Sequence, residues 1–184
     1  MRLLAAVPGS VLWLSAGNAQ VKQNLRNEAS RRGVDPERLI FATRGGLHAE
    51  HLARQRHADL YLDVWPYNAH TTASEALWVG LPVLTCMGRS FAARVAGSLL
   101  RTIGLPELAT RSPAEYEAMA LRLAREPELL AGLRARLVAN RSTSPLFDTD
   151  RLRRHIEAAF REMWARYQRG EAPASFEVPP IDPG

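Results

Sequence analysis

The sequence predicts an α/β fold, an open parallel Rossmann-like sheet with helices on both faces, followed by C-terminal helices. Short apolar runs (residues 11–14, 39–41, 60–64 and 82–86) alternate with stretches whose apolar residues recur every three or four positions. Strands that alternate with helices imply right-handed βαβ units and a sheet covered on both sides. Beyond Thr110 the pattern becomes helical throughout.

Residues 1–6 read as the last turn of a helix. Residues 11–14, an apolar run bounded by Gly9 and Gly17, read as a central parallel strand. Val21, Leu25 and Ala29, spaced by four, predict a helix over 20–32 that stops at Gly33. A strand over 38–42, a glycine-bearing turn over 43–46 and a short helix over 48–56 follow. Residues 59–64 form the third strand. Pro66 and Asn68 break it, and His70-Thr71-Thr72 opens a helix over 72–79. A strand over 82–86, a helix over 90–103 and a short extended piece at 107–110 complete the α/β part. Ser112-Pro113-Ala114-Glu115 marks a helix start with an N-cap serine and proline at the first position. Pro127 separates that helix from one over 128–140. Asp148 opens a long helix whose Leu152, Ile156, Phe160, Met163 and Tyr167 share helical spacing. From Gly170 the chain is Pro-rich and poor in apolar residues, which predicts a loosely attached tail.

Composition narrows the function classes. The 184 residues, 46% of them hydrophobic, suit a single core. No run approaches the roughly 18 apolar residues of a transmembrane helix, and the N-terminus lacks a signal-peptide pattern. The single cysteine, Cys86, has no internal disulfide partner and falls in a predicted strand. A cytoplasmic location is the default. The net charge of +5 favours anionic partners, but of the 24 basic residues only Lys22 is lysine, and the arginines are scattered. A nucleic-acid surface requires a clustered basic face with interleaved aromatics. No nucleic-acid or membrane partner is expected.

The chemistry concentrates where strand 59–64 feeds the following helix. Free N–H groups and the positive end of a helix dipole hold anions, and His70, Thr71 and Thr72 add three donors. Thr72-Ala73-Ser74-Glu75 also fits a capping box that needs no ligand. Glu75 lies roughly 4.5 Å along the helix from its start, where its carboxylate suits either a ribose diol or the cap itself. His51 and Arg54, at i and i+3, share one helix face, with His48 one turn before. Histidines 48, 51 and 57 lack the usual i, i+4 metal spacing and an acidic partner. Glu50 and His57 read as surface residues. Arg89 and Arg94 suit either a phosphate or a solvated helix start. Trp13, Trp78 and Trp164 read as core or interface. No nucleophile elbow, P-loop or Gly-x-Gly-x-x-Gly motif is present.

His70-Thr71-Thr72, with Glu75 and the following Leu-Trp-Val-Gly-Leu-Pro-Val-Leu-Thr, resembles the donor-binding motif of glycosyltransferase family 41. This is the family of the protein O-linked N-acetylglucosamine transferases and the SPINDLY proteins. Val7-Pro8-Gly9-Ser10-Val11-Leu12-Trp13-Leu14 and Ser144-Pro145-Leu146-Phe147-Asp148 resemble further family landmarks. The resemblance implies the second domain of a two-domain GT-B fold. On that basis residues 1–6 end a helix from an upstream region, and 7–147 form the nucleotide-sugar-binding domain. Residues 148–169 form a C-terminal amphipathic helix and 170–184 a tail. It implies that His48, His51, Arg54, His70, Thr71, Thr72 and Glu75 bind UDP: the triplet at the diphosphate, Glu75 at the ribose, His51 and Arg54 near the base. The match at His48 is blurred by a turn one residue longer over 43–47.

The implied activity is transfer of N-acetylglucosamine from UDP to Ser or Thr of a protein acceptor, with inversion, no cofactor and no metal. The resemblance covers only the last part of such an enzyme. Its tetratricopeptide repeats, first domain and phosphate-binding lysine have no counterpart here, so the chain alone is expected to bind UDP weakly and not to turn over. The apolar stripe of the last helix is expected to meet that first domain or to self-associate. Two alternatives stay open. One is a vestigial Rossmann-like domain serving as a protein-interaction module, the other a related UDP-glucose-dependent transferase.

Overall fold

A computed structural model describes residues 1–15, 17–42 and 46–180. The turn expected over 43–46 therefore lies mostly outside the described residues, as does the end of the tail at 181–184.

The elements run in order α1 (Arg2–Ala6), β1 (Leu12–Ser15), α2 (Ala19–Arg31), β2 (Leu39–Ala42), α3 (His48–Gln55), β3 (Tyr61–Leu62), α4 (Thr71–Trp78) and β4 (Val83–Cys86). They continue with α5 (Val95–Thr102), β5 (Ala109–Thr110), α6 (Pro113–Arg125), α7 (Pro127–Asn140) and α8 (Thr149–Gln168). All strand pairs are parallel, as the βαβ pattern predicts. Every residue of β4 is buried, which requires cover on both faces. α4 and α5 pack together as one helical pair and α6 and α7 as another.

Among the described residues the ladders form two sheets, not one. β1 pairs with β2 in register Leu12 to Leu39, and β4 lies between β3 and β5. β1 is therefore an edge strand and not the expected central one, with Val11 beside it 59% exposed. Each sheet has its own core. Leu4, Ala29, Val34 and Leu39 form the smaller one. The larger gathers Leu77, Val83, Leu84, Leu100, Ile103, Leu108, Leu123 and Leu137. Arg2 ties α1 to α6 through Glu117, at 2.6 Å, and Arg125 donates to the Ala6 carbonyl.

Two boundaries differ from expectation for one reason. β3 spans two residues because the chain turns at Asp63. Its pairing still reaches that residue, with Tyr61 N–H donating to Pro82 and Asp63 N–H to Leu84. The Asp63 carboxylate, 2% exposed, then takes over. Oδ1 accepts from the Val64 and Ala69 N–H groups, both at 2.8 Å, and Oδ2 from the Thr85 hydroxyl at 2.6 Å. The Tyr116 hydroxyl donates to the Asp63 carbonyl and Thr110 to the Thr85 carbonyl. Burial and the nearby Asp63 charge keep Tyr116 protonated, its pKa well above the ordinary 10.0. Asn68, 1% exposed, donates to the Val64 and Cys86 carbonyls, and its N–H donates to Ala92. With the Ala92 carbonyl claimed by this loop, residues 88–94 stay a loop and α5 begins at Val95, five residues later than predicted.

The helix starts read at Ser112 and Asp148 are capped there, and Asn18 caps α2. Asn18, Ser112 and Asp148 each accept an N–H from their helix's first turn. α8 has no buried residue. Ion pairs such as Arg153–Glu157 and Arg166–Glu162 run along it, and Leu152, Phe160, Trp164 and Tyr167 are exposed. Beyond Gly170 the described tail has no regular structure, though Arg166 covers Phe176.

Burial raises the Asp63 pKa from its ordinary 3.8 against the opposing pull of its hydrogen bonds. The folded chain thus holds this proton more tightly than the unfolded one. That contribution is complete below the unfolded value and is lost as pH rises through the raised one. In urea titrations the stability of wild type relative to Asp63→Asn should fall as pH rises through the acidic range. Asp63→Ala, which orphans the Ala69 N–H and the Thr85 hydroxyl, should cost about 2–5 kcal/mol at neutral pH. A pH-independent difference would contradict the first expectation.

Candidate functional site

α4 begins at Thr71 with His70 at its N-cap, and His70 makes no side-chain cap bond. Thr72 therefore lies inside the first turn, where its hydroxyl accepts from the Tyr61 hydroxyl at 3.3 Å. The capping box that Thr72 and Glu75 allowed does not form. The Asp63 bond to Ala69 N–H fixes the approach of the chain and sets the helix start one residue earlier. The first-turn N–H groups have no acceptor within the helix.

Released from capping, Glu75 points toward α3. Its carboxylate oxygens lie 3.7 Å from His48 Nε2 and 3.5 Å from His51 Nε2. Its side chain is 18% exposed. Arg54 donates to His51 Nδ1 at 2.9 Å, which fixes the tautomer with its proton on Nε2, facing Glu75. Gln55 also meets Nε2, at 2.9 Å through its amide nitrogen, while its buried Oε1 is unpartnered. Turning the amide over presents an acceptor to that N–H. Arg54, His51 and Glu75 are thus one connected row.

This row borders a cleft of about 270 Å³ lined by His48, Leu52, Thr71, Ser74, Glu75, Trp78 and Phe147. His48, Thr71 and Glu75 reach it directly, and His51 and Arg54 stand behind Glu75. His70 sits on the other side of the α4 start. Its ring stacks on Tyr67, with centroids 5.0 Å apart, and meets Phe91 edge-on at 6.0 Å, with Nε2 3.4 Å from the Ala92 carbonyl. The three side chains of the triplet therefore diverge, and only Thr71 faces the cleft.

Sequence reasoning missed the cleft's apolar wall. Of the two readings for Trp78, core and interface, its exposure of 47% excludes the core, and it forms that wall edge-on to Phe147, with Arg141 over its ring. The signal was present, because Thr71, Ser74, Glu75 and Trp78 recur at three- and four-residue spacing on one face of α4. Glu50 is exposed, as the sequence predicts, and it also has a local structural role. Its carboxylate accepts the Leu47 N–H and packs over Gly46, whose φ of +101° excludes side chains. His57 is exposed, as predicted. Among the described residues no three His, Cys, Asp or Glu side chains converge as a metal-ligating group.

The family model for glycosyl transferase family 41 matches residues 1–156. The chain belongs to that family. The peptide N-acetylglucosaminyltransferase of Caenorhabditis elegans is 36% identical over 170 residues, covering 92% of this chain and 15% of that protein. The probable transferase SEC of Arabidopsis thaliana is 38% identical, covering 96% and 18%. A Thermobaculum terrenum O-GlcNAc transferase mutant superposes with a TM-score of 0.81 at 36% identity, over 89% of this chain and 32% of that one. This family 41 chain thus spans under a fifth of the two curated relatives, and its fold matches about a third of the solved one. Among the described residues no helix is long and apolar enough to cross a membrane.

Because Thr72 does not cap α4, Thr72→Ala should change unfolding free energy by less than about 0.5 kcal/mol, where loss of an N-cap threonine costs about 1 kcal/mol. Urea denaturation measures the difference. A cost of 1 kcal/mol or more would restore the capping-box reading.

Proposed function

We propose that this chain is the donor-binding part of an inverting family 41 glycosyltransferase, holding a UDP-sugar for transfer to Ser or Thr of a protein. The observation that carries the reading is the free α4 N-terminus beside a Glu75 carboxylate turned into the cleft. On this reading the diphosphate lies at the first-turn N–H groups of α4 with Thr71, Thr72 and His70 around it. Glu75 accepts from the ribose hydroxyls, sharing its oxygens with His48 and His51. His51 and Arg54, coupled at Nδ1, flank the base. Trp78 and Phe147 supply apolar cover.

The chemical role of such a site is to take up charge on the leaving diphosphate. When an acceptor hydroxyl attacks the sugar, negative charge grows on the departing phosphate oxygen. Preorganised N–H donors and a helix dipole stabilise it there without a metal or other cofactor. N-acetylglucosamine is the sugar we favour, since the C. elegans relative is named for that transfer. The acceptor-side groups belong to the rest of the enzyme, so this chain alone binds without turning over. The exposed α8 stripe is then the surface that meets that remainder or a second copy. A cytoplasmic location accords with the free, buried Cys86.

Calorimetric titration with UDP should show weak, saturable binding, reduced about tenfold in His70→Ala and in Glu75→Ala, each substitution removing roughly one charge-assisted hydrogen bond. Binding unchanged in both variants would overturn the assignment of these residues. Absence of saturable binding by the folded chain at millimolar UDP would contradict a donor site in this chain alone.

A further inference from the structure

A second cleft of about 270 Å³ lies beside α5, lined by Met87, Gly88, Arg89, Arg94, Arg101 and Arg111. It shares no lining residue with the cleft beside Glu75. Most of the chain's arginines are engaged. Arg38 donates to the Val7 and Ser10 carbonyls, Arg134 to Ala58, and those of α8 largely to carboxylates one turn away. The four arginines of this cleft have no ion pair and no side-chain hydrogen bond among the described residues. One carboxylate lies at its margin, that of Glu115, whose Oε2 accepts the Arg111 backbone N–H at 2.9 Å. The α5 N-terminus opens beside Arg94 with no side-chain cap and no acidic residue in its first turn.

The loop that brings these groups together is held by named contacts. Gly88 N–H donates to Ala93 at 2.8 Å, and a Cβ on Gly88 would meet the Ala93 methyl. The Met87 side chain packs over Gly97, where any side chain would displace it. Arg89 and Arg94 are therefore presented by a closed loop, with Arg101 two helical turns further along α5, about 10 Å away. Four like charges with a single carboxylate, Glu115, at their margin repel one another and favour any anion that enters.

We propose that this cleft is a second anion site, separate from the donor site, that binds a linear oligophosphate, free or as the tail of a nucleotide. Charge density selects this class. Along an extended acidic peptide, side chains on one face stand about 7 Å apart, so two carboxylates at most reach the cleft. The phosphate spacing along a nucleic-acid strand imposes the same limit, and no aromatic residue lines the cleft for a base to stack on. The phosphates of an oligophosphate share bridging oxygens, so three or more charges fit within the same length. Guanidinium groups match their oxygens in bidentate pairs.

The test is calorimetric titration of the full chain with inorganic tripolyphosphate and with ATP, at low and at moderate salt. Arg101→Glu/Arg111→Glu, His70→Ala and Arg89→Ala are measured beside wild type. Both reversed arginines are exposed and unpartnered, so thermal unfolding should stay unchanged. Saturable tripolyphosphate binding that weakens with salt, drops at least tenfold in the double variant and survives His70→Ala supports the site. Equal affinity for ATP identifies the phosphate chain as the recognised part, and tighter ATP binding a nucleotide. Binding that is lost in His70→Ala but kept in the double variant would assign the anion to the donor site and overturn the proposal. So would the absence of saturable binding, or tighter binding of a glutamate hexapeptide at the same arginines.

Discussion

A single buried carboxylate fixes the geometry on which the donor-site reading depends. Asp63 ends β3, and its two oxygens reach three donors on three segments: the Val64 N–H just beyond the strand, the Ala69 N–H at the end of the following loop, and the Thr85 hydroxyl in β4. Keeping a carboxylate 2% exposed costs free energy that only such a set of bonds offsets. The return is positional. Residues 64–70 form a closed loop of fixed size, so the N-terminus of α4 stands at a set distance from the end of the central strand of its sheet. Asn68 repeats the device one layer out, joining the same loop to β4 and to residue 92. Tyr116 and Thr110 anchor it from α6 and β5.

The consequences spread outward from there. With the helix start fixed at Thr71, Thr72 is carried past the capping position and Glu75 faces α3. His48 and His51 reach it from an adjacent helix whose own start is held by Glu50 over Gly46, and Arg54 holds His51 from behind. On the other side, Ala92 is held by Asn68 and keeps residues 88–94 out of the helix. That loop therefore shows Phe91 to His70 and Arg89 to the second cleft. Both clefts lie near the carboxyl ends of parallel strands, where open α/β sheets bind ligands.

Most of the architecture was legible because alternation of apolar runs with helical spacing is a strong signal, and the helix starts at Ser112 and Asp148 are written in local residue types. The parts that were not legible involve residues distant in sequence. Nothing local distinguishes Asp63 from an ordinary strand-end residue, since its partners Ala69 and Thr85 are six and twenty-two positions away. For the same reason the start of α5 was placed too early. Trp78 reads as core or interface from the sequence, and only the packing of Phe147 shows that it walls a cleft. The split of the sheet and the edge position of β1 depend on strand pairing, which periodicity does not encode. The candidate site residues were identified by resemblance, and their geometry differs from a simple cluster in that His70, Thr71 and Thr72 point three ways.

The measurement that tests this account most directly is the backbone amide spectrum of the isotopically labelled chain, recorded during addition of UDP. If the α4 N-terminus receives the diphosphate, the amide signals of Thr71, Thr72 and Ala73 should shift most and together. Those of residues 48–54 should follow, and the signals of α7 and α8 should stay fixed. Saturating shifts confined to other elements, with the α4 amides unmoved, would contradict it.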